Sequence, residues 1–247
     1  MSDETQFDSK LEGFMSHLIE LRTRLIRSMI AVGVILVVLL PFSNKLYTLL
    51  ALPMLRALPS GGHMIATEVT TPFFVPMKVA MMAAFLLALP YVLYQAWAFI
   101  APGLYGHEKR LVLPLVVSST ILFYTGMAFA YFVVFPVIFG FISAAAPDGV
   151  AVMTDIDKYL GFVLTMFIAF GVTFEVPVAV VVLVRLGVVT VDFLREIRRY
   201  VIVGAFVIGA IFTPPDVVSQ SLLAVPLCLL YELGILVASR WKPKLSE

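Results

Sequence analysis

Charged residues are scarce in this sequence, since only 13% of its 247 residues are Asp, Glu, Lys or Arg. A soluble domain usually carries about 25% charged residues. Here 61% of the residues are hydrophobic and the mean hydropathy is +1.03. This composition excludes an ordinary water-soluble domain and indicates a polytopic membrane protein. The net charge of +1 gives no general attraction to nucleic acid.

Cysteine, histidine and the motifs of known enzymes are also scarce or missing. The single cysteine, Cys228, cannot form a disulfide within the chain. The three histidines, His17, His63 and His107, are too scattered to predict a metal site, and none lies in an apolar segment where it could be the base for a buried serine. The sequence contains no P-loop, dinucleotide-binding fingerprint, nucleophile elbow or zinc-protease motif. We therefore expect no enzymatic activity, no cofactor and no metal.

Six segments are apolar enough, or nearly so, to cross a bilayer as helices of about 20 residues. They lie at about 25–42, 73–100, 113–142, 159–186, 200–212 and 217–238. The fifth is short, because only about 20 Å of helix fits between Arg199 and the prolines before Asp216, against a hydrocarbon core of ~30 Å. The last two segments must form a tight helical hairpin. The sequence thus predicts an all-α integral membrane protein, a single domain over residues 1–247 with no internal repeat.

Lysine and arginine are unevenly divided between the two sides of this arrangement. If both termini lie on one side, that side holds 13 of the 17 basic residues. The other side holds Lys45, Arg56, Lys78 and Lys158. Because basic residues concentrate in cytoplasmic loops, both termini are predicted to be cytoplasmic.

Two polar stretches flank the first span. Residues 5–20 repeat apolar side chains at helical spacing, which predicts an amphipathic helix on the membrane face, with a partly disordered tail before Leu11 as the alternative. Residues 45–58 are typical of a short helix on the outer interface, and we expect Pro53 to break it.

Two carboxylates lie where an acid needs a partner or a function. Glu20 stands at the mouth of the first span, and Arg24, one helical turn further on, is its simplest structural partner. Glu175 lies well inside the fourth segment beside Pro177. It either lines a wet cavity or makes a structural hydrogen bond to a neighbouring helix, such as the third, with its Ser118, Thr120 and Tyr124.

Three further polar residues lie near the ends of the spans. Asp216 is predicted to cap the sixth helix, and Gln220 shares its face, so the pair forms either a cap or a polar patch for a partner. Glu108 lies in a loop on the same side as Glu20. It either pairs with its basic neighbours or binds, together with Glu20, a pair of guanidinium groups, because carboxylates accept bidentate bonds from arginine.

These residues belong to stretches that closely resemble the TatC family, the multispanning receptor subunits of the twin-arginine (Sec-independent) protein translocase. The similar stretches, in chain order, are residues 17–22, 71–74, 94–105, 108–110, 129–132, 170–177 and 213–216. Each alone would be weak, but the ordered set on six spans is highly specific.

The resemblance implies a glove-shaped bundle of six helices in the bacterial cytoplasmic (inner) membrane, with short fifth and sixth helices. It implies that Glu20 and Glu108 recognise the Arg-Arg pair of signal peptides. Arg22, the loop residue Phe99 and the outer-loop Pro53 match positions important in the family. Glu175 matches an acid in the membrane-facing concavity.

The resemblance also implies partners and an energy source. The fifth and sixth helices are expected to contact single-span TatB- and TatA-type subunits, in a complex with multiple copies of each chain, and the proton gradient drives the export of folded proteins. The rival interpretation is a proton-coupled secondary transporter of a small solute that uses Glu175. Such transporters often contain paired discontinuous helices within repeats, and this sequence has no repeat.

Overall fold

The computed structural model describes residues 2–57, 64–100, 112–144, 153–213 and 216–240. Its helices are α1 (Ser2–Leu39), α2 (Ser43–Ala57), α3 (Thr71–Ile100), α4 (Val112–Phe129), α5 (Phe135–Ala144), α6 (Ile156–Phe174), α7 (Val176–Arg185), α8 (Val191–Glu196), α9 (Arg198–Phe212) and α10 (Val217–Ser239). A 3-10 turn (Leu40–Phe42) joins α1 to α2, and a π-helical turn (Ala130–Val134) joins α4 to α5. The predicted all-α fold is confirmed.

Five helical stretches of the described chain are long and apolar enough to cross a membrane. They are His17–Arg56, Thr71–Ile100, Val112–Ile142, Ile156–Arg185 and Val217–Ser239. The predicted fifth span is α9, whose 15 residues give a helix of about 22 Å, so its expected shortness is confirmed. The expectation of a short sixth helix is wrong, because α10 has 23 residues and is long enough to cross.

The N-terminal stretch and the first span form one continuous helix, α1, which begins at Ser2. Residues 5–20 are therefore helical, as one of the two interpretations predicted, and they continue into the span without a break.

Pro53 lies inside α2 and does not break it, which corrects the expectation from the sequence. A proline lacks the N–H that would bond the carbonyl four residues earlier, here that of Leu49. The Tyr131 hydroxyl supplies this missing donor, at 3.0 Å from the Leu49 oxygen. The Tyr159 hydroxyl likewise donates to the next carbonyl, that of Leu50, at 2.8 Å. Side chains from two other helices thus allow α2 to run on to Ala57.

The main core lies between α2, α3, α4, α5 and α6 and is rich in phenylalanine. Its densest contact joins α4 to α6 through two glycines. A Cβ atom added at Gly126 would lie 2.5 Å from the Phe170 carbonyl oxygen, and one added at Gly171 would overlap the Phe123 ring. Small residues at a helix interface let the backbones approach closely. This contact holds α4 firmly against the helix that leads to Glu175.

The predicted fourth span is interrupted at Glu175, which is the turn residue between α6 and α7. Pro177 lies in the first turn of α7, where its missing N–H costs no helical hydrogen bond. Gly234 of α10 packs against Pro177 and Val180, since an added Cβ there would lie 3.0 Å from each. The junction therefore lies within packed protein and carries an acid.

Candidate functional site

A chain of side-chain hydrogen bonds connects Glu20 on α1 to α3. Arg24 donates from Nε and Nη2 to Glu20 Oε1, at 2.9 and 2.6 Å, and from Nη1 to Gln95 Oε1, at 3.2 Å. Gln95 is buried and donates from Nε2 to the Tyr91 hydroxyl at 2.7 Å. The predicted pairing of Glu20 with Arg24 is confirmed. Because Arg24 also bonds Gln95, the carboxylate of Glu20 has a defined position relative to α3.

The Glu20 carboxylate keeps part of its hydrogen-bonding capacity. Both bonds from Arg24 end on the same oxygen, Oε1, and no donor of the described residues bonds Oε2. The Glu20 side chain is 36% exposed. An ionised carboxylate has about four lone-pair sites, so Glu20 can accept a second guanidinium while Arg24 stays in place.

Arg22 lies two positions after Glu20 on α1, whereas Phe99 lies on α3, and the two differ in their surroundings. Phe99 belongs to the last turn of α3, which corrects its assignment to a loop, and its ring stacks on His17 of α1 with centroids 4.1 Å apart. Arg22 is exposed on α1. Glu108 lies outside the described residues, eight positions after α3 ends at Ile100.

Glu175 is half-buried at the junction of α6 and α7, and its Oε1 atom is fully buried with no hydrogen-bond partner in the described chain. The three partners proposed from the sequence bond backbone carbonyls instead. Ser118 donates to Leu115, Thr120 to Val116 and Tyr124 to Leu86. The structural interpretation with these three residues is therefore wrong.

Ser119, one residue from the expected position, is the polar neighbour of the Glu175 carboxyl group. It is fully buried, and its hydroxyl accepts a hydrogen bond from Trp97 Nε1 at 3.0 Å. An oxygen that accepts from an indole still carries its own hydrogen, which it can donate to Glu175. Trp97, Ser119 and Glu175 thus connect α3, α4 and the α6–α7 junction through polar groups.

The sequence contains a signal for Ser119 that was missed. Ser119, Phe123 and Gly126 follow each other at four- and three-residue spacing, and all three are buried. This spacing defines the protein-facing side of α4. Ser118 and Thr120 lie beside that face.

Asp216 and Gln220 both make hydrogen bonds within the α9–α10 hairpin. The Asp216 Oδ1 atom accepts from the Ser219 N–H at 2.7 Å, which confirms that Asp216 caps α10. Gln220 Nε2 donates to the Phe206 carbonyl of α9 at 2.8 Å. A Cβ atom added at Gly209 would lie 3.0 Å from Gln220, so α9 and α10 are in close contact here. One amide donor of Gln220 therefore holds the hairpin together.

A polar cluster at the α2 end of the molecule joins residues 64–67 to the start of α6. Ile65 and Asp155 form an isolated β-bridge, and Thr67 donates to Asp155 Oδ2 from its hydroxyl at 2.6 Å and its N–H at 3.0 Å. The hydroxyl bond, followed by the backbone N–H bonds of Lys158 and Thr67, lowers the pKa of Asp155 to about 2. Lys78 pairs with Asp157 at 2.6 Å nearby.

Across the described ranges, no three His, Cys, Asp or Glu side chains are grouped so that they could hold a metal ion.

The sequence and the fold both match known proteins. The TatC family model, described as Sec-independent protein translocase protein, matches residues 16–226. The Sec-independent protein translocase protein TatC of Halothiobacillus neapolitanus is 56% identical over 97% of this chain and 66% of its own length. The chain thus spans about two thirds of that relative. The protein of the same name from Escherichia coli strain K12 is 56% identical over 90% of this chain and 86% of its own length.

One solved structure, a crystal structure of the twin arginine translocase receptor TatC, has the same fold. It superposes with a TM-score of 0.80 at 41% identity. The superposition covers 91% of this chain and 98% of that chain.

Proposed function

The chain belongs to the TatC family of Sec-independent protein translocase proteins, and on that basis we propose that it is the signal-peptide receptor and core subunit of a twin-arginine translocase. In this role it binds signal peptides that carry an Arg-Arg pair and assembles the subunits that export folded proteins. The transmembrane proton gradient supplies the energy. The observation that best supports this proposal is the partly exposed Glu20 carboxylate, which Arg24 holds by one oxygen only.

The electrostatics of this site require a second acid. Glu20 and Arg24 together carry no net charge, and Arg22 and Arg27 lie exposed on the same helix. A dication would therefore be repelled if Glu20 acted alone. Glu108, on the same predicted side of the membrane, supplies the second carboxylate in our proposal. Each acid then accepts one guanidinium through charge-assisted hydrogen bonds, which are roughly twice as strong as neutral ones.

Phe99 and Arg22 shape this surface around the two acids in our proposal. The stacking of Phe99 on His17 holds the last turn of α3 against α1. Phe99 thus fixes the end of α3, from which the chain continues towards Glu108. The exposed Arg22 limits the site to ligands that can satisfy both carboxylates.

Glu175 serves a later step in this proposal. Its unpartnered oxygen lies at a helix junction within the bundle, where an acid is costly to keep without a function. We assign it to the membrane-facing cavity, where it affects translocation after the signal has bound. Pro53 keeps a structural role, because it needs the Tyr131 hydroxyl in place of its own missing N–H.

The partner surface lies along α9 and α10 in this proposal. A helix of about 22 Å is shorter than the bilayer core of ~30 Å and favours local thinning of the membrane. Single-span TatB- and TatA-type subunits would dock there beside Asp216 and Gln220, in complexes with multiple copies of each chain. The protein resides in the bacterial cytoplasmic membrane with both termini in the cytoplasm, and it acts without enzymatic activity.

Cross-linking with a signal peptide tests the proposal. A photoreactive group beside the Arg-Arg pair should label a single cysteine placed at the exposed Ile19 of α1. A cysteine at Leu229, which is similarly exposed on α10, is the matched control and should stay unlabelled. Equal labelling of both positions would contradict the proposal.

A proton-coupled transporter of a small solute is the second candidate, and the unpartnered oxygen of Glu175 is the observation that favours it. A transported solute should protect Glu175 from carboxyl-modifying reagents, and a signal peptide should have no effect on that modification. Protection by a solute, together with no cross-link at Ile19, would favour the transporter.

A further inference from the structure

Two grooves open side by side on the surface of the bundle next to α2. The first has a volume of about 370 Å³, is lined almost wholly by carbon atoms and lies between α2, α3 and α6. The second has a volume of about 420 Å³ and is lined by residues of α2 and α5 that include Arg56 and Gly140. Tyr131 and Phe132 line both grooves and form the wall between them. Both volumes fall in the range of ligand sites, roughly 300–1,000 Å³.

The π-helical turn of the backbone determines where Tyr131 and Phe132, the wall between the grooves, lie. Pro136 has no N–H to continue the α-helical pattern, and the chain forms a π-helical turn in which the Phe135 N–H bonds the Ala130 carbonyl. Such turns occur frequently at functional sites. The hydroxyl of Tyr131 is held on the Leu49 carbonyl, whereas Phe132 is 74% exposed. The grooves are therefore a built feature of the surface.

Arg56 brings a positive charge to the mouth of the second groove. It is exposed in the last turn of α2, on the side of the membrane that has only 4 of the 17 basic residues. The ion pairs of the described residues join Arg24 to Glu20, Lys78 to Asp157, Arg195 to Asp192 and Arg198 to Glu232. None of these pairs includes Arg56, so its charge is available to an anion. Arginine binds phosphate with particular geometric specificity.

We propose that these grooves bind one anionic phospholipid, with its phosphate on Arg56 and one acyl chain on each side of the wall formed by Tyr131 and Phe132. Two apolar channels beside a single cation match two acyl chains joined to one charged headgroup. A transmembrane helix from another protein is about 10–12 Å wide with its side chains, and the dividing wall prevents it from filling both grooves. The lipid would brace α2 against α5 in the leaflet at the α2 end of the molecule.

Native mass spectrometry of the full-length protein tests this site. The protein is purified in detergent and incubated with equal amounts of phosphatidylglycerol and phosphatidylcholine. We expect one phosphatidylglycerol to be retained in preference to phosphatidylcholine by about tenfold. This is the change in affinity expected for one charge-assisted contact, here with Arg56. Arg56→Gln should abolish this preference, and Arg56→Lys should retain part of it. Lys45→Gln is the matched control, because Lys45 is an exposed base at the same end of the molecule that does not line either groove.

A second variant fills the groove without removing the charge. A Cβ atom added at Gly140 meets nothing within 4 Å, so Gly140→Phe can place its ring in the second groove without a backbone clash. It should lower the retention of phosphatidylglycerol. Gly161→Phe, at another open glycine that lies outside the grooves, should not. Thermal unfolding in detergent checks that each variant is folded. If Gly140→Phe does not fold, the Arg56→Gln variant alone tests the lipid site.

Three results would overturn the proposal. The first is equal retention of the two lipids by the unchanged protein, which means that lipid binds without regard to the charge of its headgroup. The second is an unchanged preference in Arg56→Gln. The third is a photo-cross-linker at the exposed Phe132 that labels a protein segment in membranes and leaves lipid unlabelled, because this would identify the grooves as a protein interface.

Discussion

His17 on α1 stacks on Phe99 of α3, with ring centroids 4.1 Å apart and planes inclined by only 18°. One helical turn along α1, Glu20 is tied to the same neighbouring helix through Arg24 and Gln95. The two contacts set the end of α3 against the helix that carries Glu20. This arrangement underlies the predictions on signal recognition.

The topology prediction depends on the unequal distribution of the basic residues, 13 against 4. A reporter fused after Glu247 should be active only if it is an enzyme that works in the cytoplasm. A reporter inserted between α5 and α6 should behave as exported. The reverse pattern would contradict the orientation and, with it, the cytoplasmic placement of Glu20.

The prediction for Glu175 follows from its unpartnered oxygen at the α6–α7 junction. Glu175→Ala should still bind signal peptide when purified and reinserted into lipid, but it should export a folded reporter more slowly. Ser119→Ala should reproduce part of this defect, because Ser119 is the polar neighbour of Glu175.

Ser118→Ala is the matched control for that experiment, since Ser118 donates to the Leu115 carbonyl. It should leave the export rate unchanged. If Glu175→Ala fails to insert or unfolds, the acid has a structural role instead.

The partner prediction follows from the short α9 and the exposed apolar surface beside Asp216. A cysteine at Val217, which is 78% exposed, should cross-link to a single-span partner subunit in membranes. A cysteine at Val37 of α1, which is 69% exposed, serves as the control. Cross-links that form only at Val37 would move the partner surface to the first span.

The pH prediction concerns Asp155, whose pKa of about 2 lies below the ordinary value of 3.8. A carboxyl group with a lowered pKa stabilises the fold above its unfolded pKa, and this contribution is lost as the pH falls through the folded pKa. We therefore expect the thermal stability in detergent to fall between about pH 4 and pH 2. Asp155→Asn should be less stable at pH 7 and should show a weaker decline over this range.

Asp192→Asn is the control for the pH experiment, because Asp192 forms an exposed ion pair with Arg195 at 3.2 Å. Such pairs contribute little to stability. An Asp155→Asn variant with the same pH profile as the unchanged protein would contradict the assignment.

The sequence predicted the features that depend only on residues close together in one helix. The pair of Glu20 and Arg24 follows from a four-residue spacing, and the cap formed by Asp216 follows from its place before an apolar run. The short α9 follows from a count of residues between two polar boundaries. These features need no knowledge of how the helices pack.

Contacts between distant segments were not predictable in the same way. The Trp97–Ser119 bond joins residues 22 positions apart and depends on the rotation of α4 about its own axis. A rotation by one residue separates the correct Ser119 from the expected Ser118. The tolerance of Pro53 likewise depends on Tyr131, which donates to Leu49 from 82 positions away. The bond from the Gln220 amide to the Phe206 carbonyl of α9 joins residues 14 positions apart, and the spacing alone does not predict it.

The strongest expectation concerns the carboxylates of Glu20 and Glu108. A hydrogen bond to a charged group contributes about 1.5–3 kcal/mol, and about 1.4 kcal/mol corresponds to a tenfold change in affinity. Glu20→Gln or Glu108→Gln alone should therefore weaken the binding of an Arg-Arg signal peptide by roughly 10- to 100-fold. If the two sites are independent, the free-energy losses should nearly add in the double variant. Glu196→Gln, at an exposed acid of α8, is the control and should bind normally.

The most direct test is a titration of Arg-Arg and Lys-Lys signal peptides against the purified protein, Glu20→Gln and Glu108→Gln at one fixed salt concentration. The unchanged protein should prefer Arg-Arg, because lysine cannot make bidentate bonds to a carboxylate, and the preference should shrink in both variants. If Glu20 serves only to pair with Arg24, the variants will differ in stability but keep the same preference for arginine over lysine. That result would contradict the proposed recognition of the signal peptide.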